Sequence, residues 1–187
     1  MLEYAGSPKV FLLEGGFQAW RKSGLPLERK LRQPETRTFQ IRPVSKLLAT
    51  ADHIASSKSH IVLDVRSEGE FTGKENRDCD ERNGRIPGAR WLEWTNFIHD
   101  GERFENRSEI ANVLKQKGLR KDEEIVSYCH RGARAATAFY ALRSMGYKNA
   151  KNYIGSWHEW SARKKLPVER GDGSSGREKV RVASKLR

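Results

Sequence analysis

Residues 124–139 read E-I-V-S-Y-C-H-R-G-A-R-A-A-T-A-F, a strand-forming run that halts at Cys129 and gives way, from Arg134, to an alanine-rich helical pattern. β-Branched and aromatic residues favour the first half as a strand. Ala135, Phe139, Leu142 and Met145 share one helical face, and Gly146 ends the pattern. A strand, a tight turn at Gly132 and a helix form the repeating step of a parallel sheet covered by helices. In such sheets ligands bind beyond the carboxyl ends of the strands, where helix N-termini point. Cys129 stands at that place.

The neighbours of Cys129 are those of a nucleophile. The loop His130–Ala133 can turn its backbone N–H groups toward the sulfur, with Gly132 allowing the tight curve. The following helix adds the positive end of its dipole, and Arg131 and Arg134 add full charges. These terms favour thiolate over thiol and suit an anionic substrate. An inert buried thiol gains nothing from two guanidinium groups. Four residues separate Cys129 from Arg134, and Tyr128 precedes the cysteine. Cysteine phosphatases resemble the layout but use a longer H-C-x5-R cradle sized for phosphate, and loop length argues against an arsenate reductase as well. The shorter loop fits a sulfur atom carried on the cysteine.

The pattern repeats along the chain in both directions. His60–Asp64 is a short buried strand, and Val44–Ile54 is predicted as a helix from Val44, Leu47, Leu48 and Ala51. Residues 74–84 are highly charged and predict a surface loop, and Arg85–Arg90 predicts a turn feeding a short strand. Glu109–Lys117 predicts a helix closed by Gly118. Ser156 and Glu159 fit a capping box that opens the last helix, with Gly155, Ser156 and Trp157 bordering the pocket and Trp157 and Trp160 in the core. The result is an α/β domain over residues 37–170.

The chain has 187 residues, 36% of them apolar and 32% charged, with a net charge of +12. That is room for one domain and some additional chain. Residues 171–187 contain G-D-G-S-S-G and mixed charge and are expected to be a disordered basic tail. Small anions fit the positive balance. Nucleic acid is not expected, because aromatic residues do not interleave with the basic ones. The two cysteines, Cys79 and Cys129, form no disulfide framework, and no metal-ligand spacing is present, so neither metal nor cofactor is expected. A reducing compartment, the cytoplasm or an organelle matrix, follows from that usage. The short apolar run Val10–Leu13 is neither a secretory leader nor a membrane span. Arg187 after Ser184-Lys-Leu186 masks a terminal peroxisomal tripeptide.

An internal repeat marks the organisation. V-F-L-L-E-G-G-F-Q-A-W (10–20) resembles A-K-N-Y-I-G-S-W-H-E-W (150–160), with Gly15, Phe17 and Trp20 preceding Gly155, Trp157 and Trp160 by a constant 140 residues. Pro26 then answers Pro167. Residues 1–28 are therefore expected to be the closing strand and helix of a preceding domain. Residues 29–36, R-K-L-R-Q-P-E-T, are expected to be a linker.

In this order L-D-V-R-S-E-G-E-F-T-G (63–73), G-R-I-P-G-A (84–89), Y-C-H-R-G-A-R-A-A (128–136), L-R-S-M-G-Y (142–147) and Y-I-G-S-W-H-E-W (153–160) resemble the rhodanese (thiosulfate sulfurtransferase) family. The likeness covers residues 37–170 and is closest to the catalytic second domain of a tandem member. It implies a three-layer fold with a mostly parallel central sheet. It also implies transfer of a sulfane sulfur from an anionic donor, through a persulfide on Cys129, to cyanide or a thiol. His130, Arg131, Gly132, Ala133 and Arg134 would form the substrate loop. The basic loop is more similar to thiosulfate users than to those of 3-mercaptopyruvate, whose loop is neutral. The alternatives are a 3-mercaptopyruvate sulfurtransferase and a relay module handing persulfide to a protein partner. Asp64 and Arg66 match the family's D-x-R pair and are expected to support the loop as an ion pair, with direct substrate contact as the alternative. Glu70 stands where tandem animal members carry a substrate-binding arginine. Cys79 is expected to be an exposed spare thiol, with a resolving cysteine as the other possibility. His53, His60 and His99 show no constellation.

Overall fold

Two runs that the sequence marks as buried strands, His60–Asp64 and Glu124–Tyr128, lie side by side in parallel, with Ile61 opposite Ile125 and Asp64 opposite Tyr128. The structure is a computed structural model and describes residues 1–57 and 59–171. Its elements in chain order are α1 (Gly16–Lys22), α2 (Ala51–Ser56), β1 (His60–Asp64), α3 (Glu68–Thr72), β2 (Arg90–Trp91), β3 (Ile98–His99), β4 (Arg103–Phe104), α4 (Arg107–Gln116), β5 (Glu124–Tyr128), α5 (Ala133–Ser144), β6 (Ala150–Asn152) and α6 (Ser156–Ala162). The main sheet has the order β2-β1-β5-β6, and every pairing in it is parallel. A two-stranded antiparallel ribbon, β3-β4, lies apart from it.

Strand parity sorts the core into two layers, because successive side chains on a strand point to opposite faces. Leu63, Ile125 and Cys129 join Ile110 and Leu114 of α4 and Ala135, Ala138 and Leu142 of α5 on one face. Val62, Val126 and Tyr128 join Ala51 and Ile54 of α2 and Trp157 and Trp160 of α6 on the other. Helices thus cover both faces of a parallel sheet, as the alternating pattern implied. Trp157 and Trp160 are core residues, each 1% exposed.

Two local expectations are corrected. The helix read over Val44–Ile54 is interrupted: Ser45–Leu47 make a single 3-10 turn, Leu48 is extended, and α2 begins only after Thr50. Ala49 N–H donates to Asn152 O at 3.1 Å, and Leu48 bridges Asn152 in parallel, so pairing with β6 overrides helical periodicity. The closing strand expected within residues 1–28 does not form, although a helix does, as α1. Residues 29–36 belong to no helix or strand and are exposed. Apart from Gly171, the basic tail lies outside the described residues. Among the described residues no helix is long and apolar enough to cross a membrane.

Candidate active site

β5 ends at Tyr128, and the chain turns at once into the loop Cys129–Gly132 before α5 starts at Ala133. Gly132 takes φ +83°, a left-handed conformation that costs a side chain strain. A Cβ there would also lie 3.0 Å from Ile154 Cα and 3.1 Å from Ile154 O. Both constraints require glycine, and the resulting turn aims the Gly132 N–H at Cys129 Sγ, 3.1 Å away.

The other side of the loop is fastened to the start of α6. The N–H groups of Trp157 and His158 donate to the carbonyls of Cys129 (2.9 Å) and His130 (3.1 Å). Cys129 N–H donates to Ser156 Oγ at 3.2 Å, and that hydroxyl donates to Tyr153 O at 2.7 Å. Ser156 is fully buried, carries φ +53° and does not cap α6, whose N-cap is Gly155. The capping box read at Ser156–Glu159 is thus corrected: the hydroxyl is spent on the Cys129 loop. A true capping box forms instead at Ser67 and Glu70, opening α3.

Beneath the loop, Arg66 donates to both carboxylate oxygens of Asp64 at 2.6–3.2 Å and to Gly84 O at 2.8 Å. Tyr128 OH donates to Asp64 Oδ2 and accepts from Ile86 N–H. The Arg66 guanidinium stacks on Trp157, 4.7 Å from its ring centroid. Burial opposes the charge on Arg66, but the adjacent carboxylate of Asp64 holds its pKa above the ordinary arginine value. Asp64 and Arg66 are 0% and 2% exposed, so they brace the sheet end where the loop departs.

The two loop arginines have different surroundings. Arg131 is exposed, and among the described residues its side chain has no carboxylate partner and approaches one polar atom, His158 Nε2 at 3.5 Å. Arg134 is half-buried and donates from both terminal nitrogens to Glu70, at 2.6 and 2.9 Å. Burial pushes the Glu70 carboxyl up, but the hydrogen bonds and charge of Arg134, with the Ser67 N–H, overcome this and hold its pKa down at about 2. The glutamate that departs from the arginine of tandem relatives therefore neutralises Arg134, leaving Arg131 as the open cation of the loop. Ala133, at the first position of α5, is exposed.

His130 belongs to a second group of side chains. Its Nε2 lies 3.0 Å from Asp80 Oδ1 and 3.6 Å from Cys79 Sγ. His158 Nδ1 reaches the same Asp80 oxygen at 3.2 Å. Burial lowers the His130 pKa from its ordinary value, against the opposing pull of Asp80. Sequence reasoning missed Asp80 and His158 altogether, since they stand 50 and 28 residues from His130 and share no local motif with it. His53 and His60 also have more company than expected: they stack at 5.3 Å, and His53 Nε2 lies 2.5 Å from Glu124 Oε1, at the amino end of the sheet.

The Rhodanese-like domain family matches residues 48–163 of this chain. A Haloferax volcanii protein provisionally named a thiosulfate sulfurtransferase is 31% identical over 179 residues, spanning 91% of this chain and 63% of its own. The thiosulfate sulfurtransferase of Azotobacter vinelandii is 29% identical over 172 residues, spanning 90% and 63%. This chain thus spans about two-thirds less a few per cent, 63%, of the length of both relatives. Among solved structures, EanB in a cysteine-persulfide state with ergothioneine matches with a TM-score of 0.81 at 26% identity, covering 90% of this chain and 43% of that one.

Proposed function

This chain belongs to the rhodanese-like domain family, and from that premise we propose that it moves a sulfane sulfur from thiosulfate to a thiophilic acceptor through a persulfide on Cys129. The observation that carries the reading is the loop itself: Gly132 N–H meets Cys129 Sγ at 3.1 Å, and α6 pulls the loop carbonyls away from the sulfur. An N–H aimed at sulfur stabilises negative charge there in the thiolate and in the persulfide alike. In the first step the Cys129 thiolate attacks the outer sulfur of thiosulfate; the new S–S bond forms as the old one breaks, and sulfite leaves with the electron pair. In the second step cyanide or a thiolate attacks the outer persulfide sulfur, and the Cys129 thiolate departs as leaving group.

Arg131 is the group best placed to hold the donor's sulfonate end, because its charge is open while that of Arg134 is matched by Glu70. A basic residue there favours thiosulfate over the carboxylate donor 3-mercaptopyruvate only by charge density, so both donors belong in the assay. Thiocyanate release from thiosulfate and cyanide is expected, with loss in Cys129→Ser; activity surviving that substitution refutes the mechanism. Arg131→Ala is expected to raise the thiosulfate KM, and an unchanged KM removes Arg131 from binding. A stable gain of one sulfur on Cys129 without turnover points to relay instead.

For the N-terminal segment we propose that residues 1–28 are a copy of the domain's closing unit. α1 (Gly16–Lys22) and α6 (Ser156–Ala162) have the same length and lie 140 residues apart. Trp20 Nε1 donates to Pro26 O at 3.0 Å, as Trp160 Nε1 donates to Pro167 O at 2.8 Å. Phe17 is 61% exposed where its counterpart Trp157 is 1% exposed, so the copy lies outside the core of residues 37–170.

A further inference from the structure

The charged loop 74–84 is expected from sequence to be mere surface, yet one end of it is clamped against the domain. Arg82 donates to the carbonyls of Trp160, Ser161, Arg163 and Leu166 at 2.8–3.0 Å, at the C-terminal end of α6. Trp157 Nε1 donates back to Arg82 O at 3.0 Å. That anchorage sets Cys79 and Asp80 against His130 of the Cys129 loop and His158 of α6. We propose that Cys79, Asp80, His130 and His158 form a tetrahedral Zn²⁺ site beside the Cys129 loop.

Geometry is the first support. One ligand atom from each of Cys79, Asp80, His130 and His158 lies within 4.8 Å of the other three. With Zn–N and Zn–O of about 2.0–2.1 Å and Zn–S of about 2.3 Å, the edges of a tetrahedron come to about 3.3 Å for N···O and about 3.6 Å for S···N. The measured edges are 3.0 Å (His130 Nε2 to Asp80 Oδ1), 3.2 Å (His158 Nδ1 to Asp80 Oδ1) and 3.6 Å (Cys79 Sγ to His130 Nε2). These three edges already lie within about 0.3 Å of the tetrahedral values, and the remaining ones, all under 4.8 Å, would close as the side chains rotate onto the ion. The two imidazoles stand at 69° with centroids 5.6 Å apart, so both can direct a nitrogen to one point.

Charge is the second support. The Asp80 side chain is 3% exposed, and its carboxylate meets only the two histidines among the described residues; neither arginine nor lysine pairs with it. A buried carboxylate without a cation is costly. A divalent ion with one thiolate and one carboxylate makes a neutral set. One sulfur, two imidazoles and one carboxylate suit borderline-soft Zn²⁺ rather than the all-oxygen shells of Mg²⁺ or Ca²⁺. The ligands come from three separate segments, so the ion would tie loop 74–84 to the active loop and to α6.

The test uses the whole chain, stripped with chelator and titrated with Zn²⁺ against a chromophoric competitor, then with Co²⁺ as a spectroscopic stand-in. One equivalent of Zn²⁺ is expected, with intense visible bands of tetrahedral Co²⁺ and a thiolate-to-cobalt charge-transfer band. Losing a direct ligand costs more than the roughly 10–100-fold seen on losing an outer-shell partner. Cys79→Ser and His158→Ala are therefore each expected to weaken Zn²⁺ binding by at least that factor, and Cys79→Ser to remove the charge-transfer band. Cys129→Ser is expected to keep both affinity and band. Cys79 is exposed, so its serine variant should fold, which circular dichroism checks. Unchanged affinity in Cys79→Ser, an octahedral Co²⁺ spectrum, or loss of binding only in Cys129→Ser overturns the site.

Discussion

Replacing Glu70 by glutamine removes one charge from the buried pair with Arg134 and keeps the shape that caps α3. The Glu70 side chain is 10% exposed and that of Arg134 is 21% exposed, so solvent screens the pair only partly. The Glu70 pKa falls from the ordinary 4.5 to about 2 in the folded protein. Linkage converts that depression into about 3 kcal/mol of stability at neutral pH. Because the folded value is depressed, this stabilisation is complete above the unfolded pKa and disappears as the pH falls through about 2. By pH 3 roughly 1.4 kcal/mol is left, so the gap between wild type and Glu70→Gln should narrow by about 2 kcal/mol from pH 7 to pH 3. Urea unfolding of both proteins at several pH values measures the gap, and the titrations of all other carboxylates cancel in it. A gap that stays constant with pH would refute the reasoning, since glutamine would then be losing packing and not a charge interaction. In the same variant the freed Arg134 guanidinium should lower the thiosulfate KM.

Gly132→Ala should destabilise by about 1–3 kcal/mol for its left-handed backbone, and its contact with Ile154 adds to that; thiocyanate release should fall with it, and a fully active variant would remove the turn from the mechanism. Ser156→Ala leaves the buried Cys129 N–H without an acceptor and should cost about 1–3 kcal/mol in urea unfolding, with a lower kcat for sulfur transfer. In chelator-stripped protein a bulky maleimide should label exposed Cys79 well before Cys129, which is 1% exposed, as peptide mass mapping would show; equal rates would mean that the Cys129 thiol is more open than its burial indicates.

Much of the fold was legible because the signals are local. The apolar runs at 60–64 and 124–128 and the helical face from Ala135 to Met145 depend on neighbours in sequence, and the sheet and α5 follow them. Cys129 was legible for the same reason, since strand, turn and helix all lie within one stretch. The failures come where a distant partner competes. Leu48 and Ala49 leave the helical pattern for an edge of β6, and Ser156 gives up its capping role to bond Cys129 N–H.

The sequence by itself determined that a cysteine closes a central strand, that a glycine turn and helix follow it, and that the chain belongs with the rhodanese-like domains. Each of these is written in adjacent residues, where periodicity and conformational preference act. Which charges near that cysteine stay open was decided only in three dimensions. Arg134 looks equivalent to Arg131 in sequence, but Glu70, 64 residues away, is brought within hydrogen-bonding distance of it and cancels its charge. Likewise, Cys79 and Asp80 meet His130 and His158 only because Arg82 fixes their loop to α6. Spacing along the chain carries no trace of such encounters, since they are set by how the layers pack.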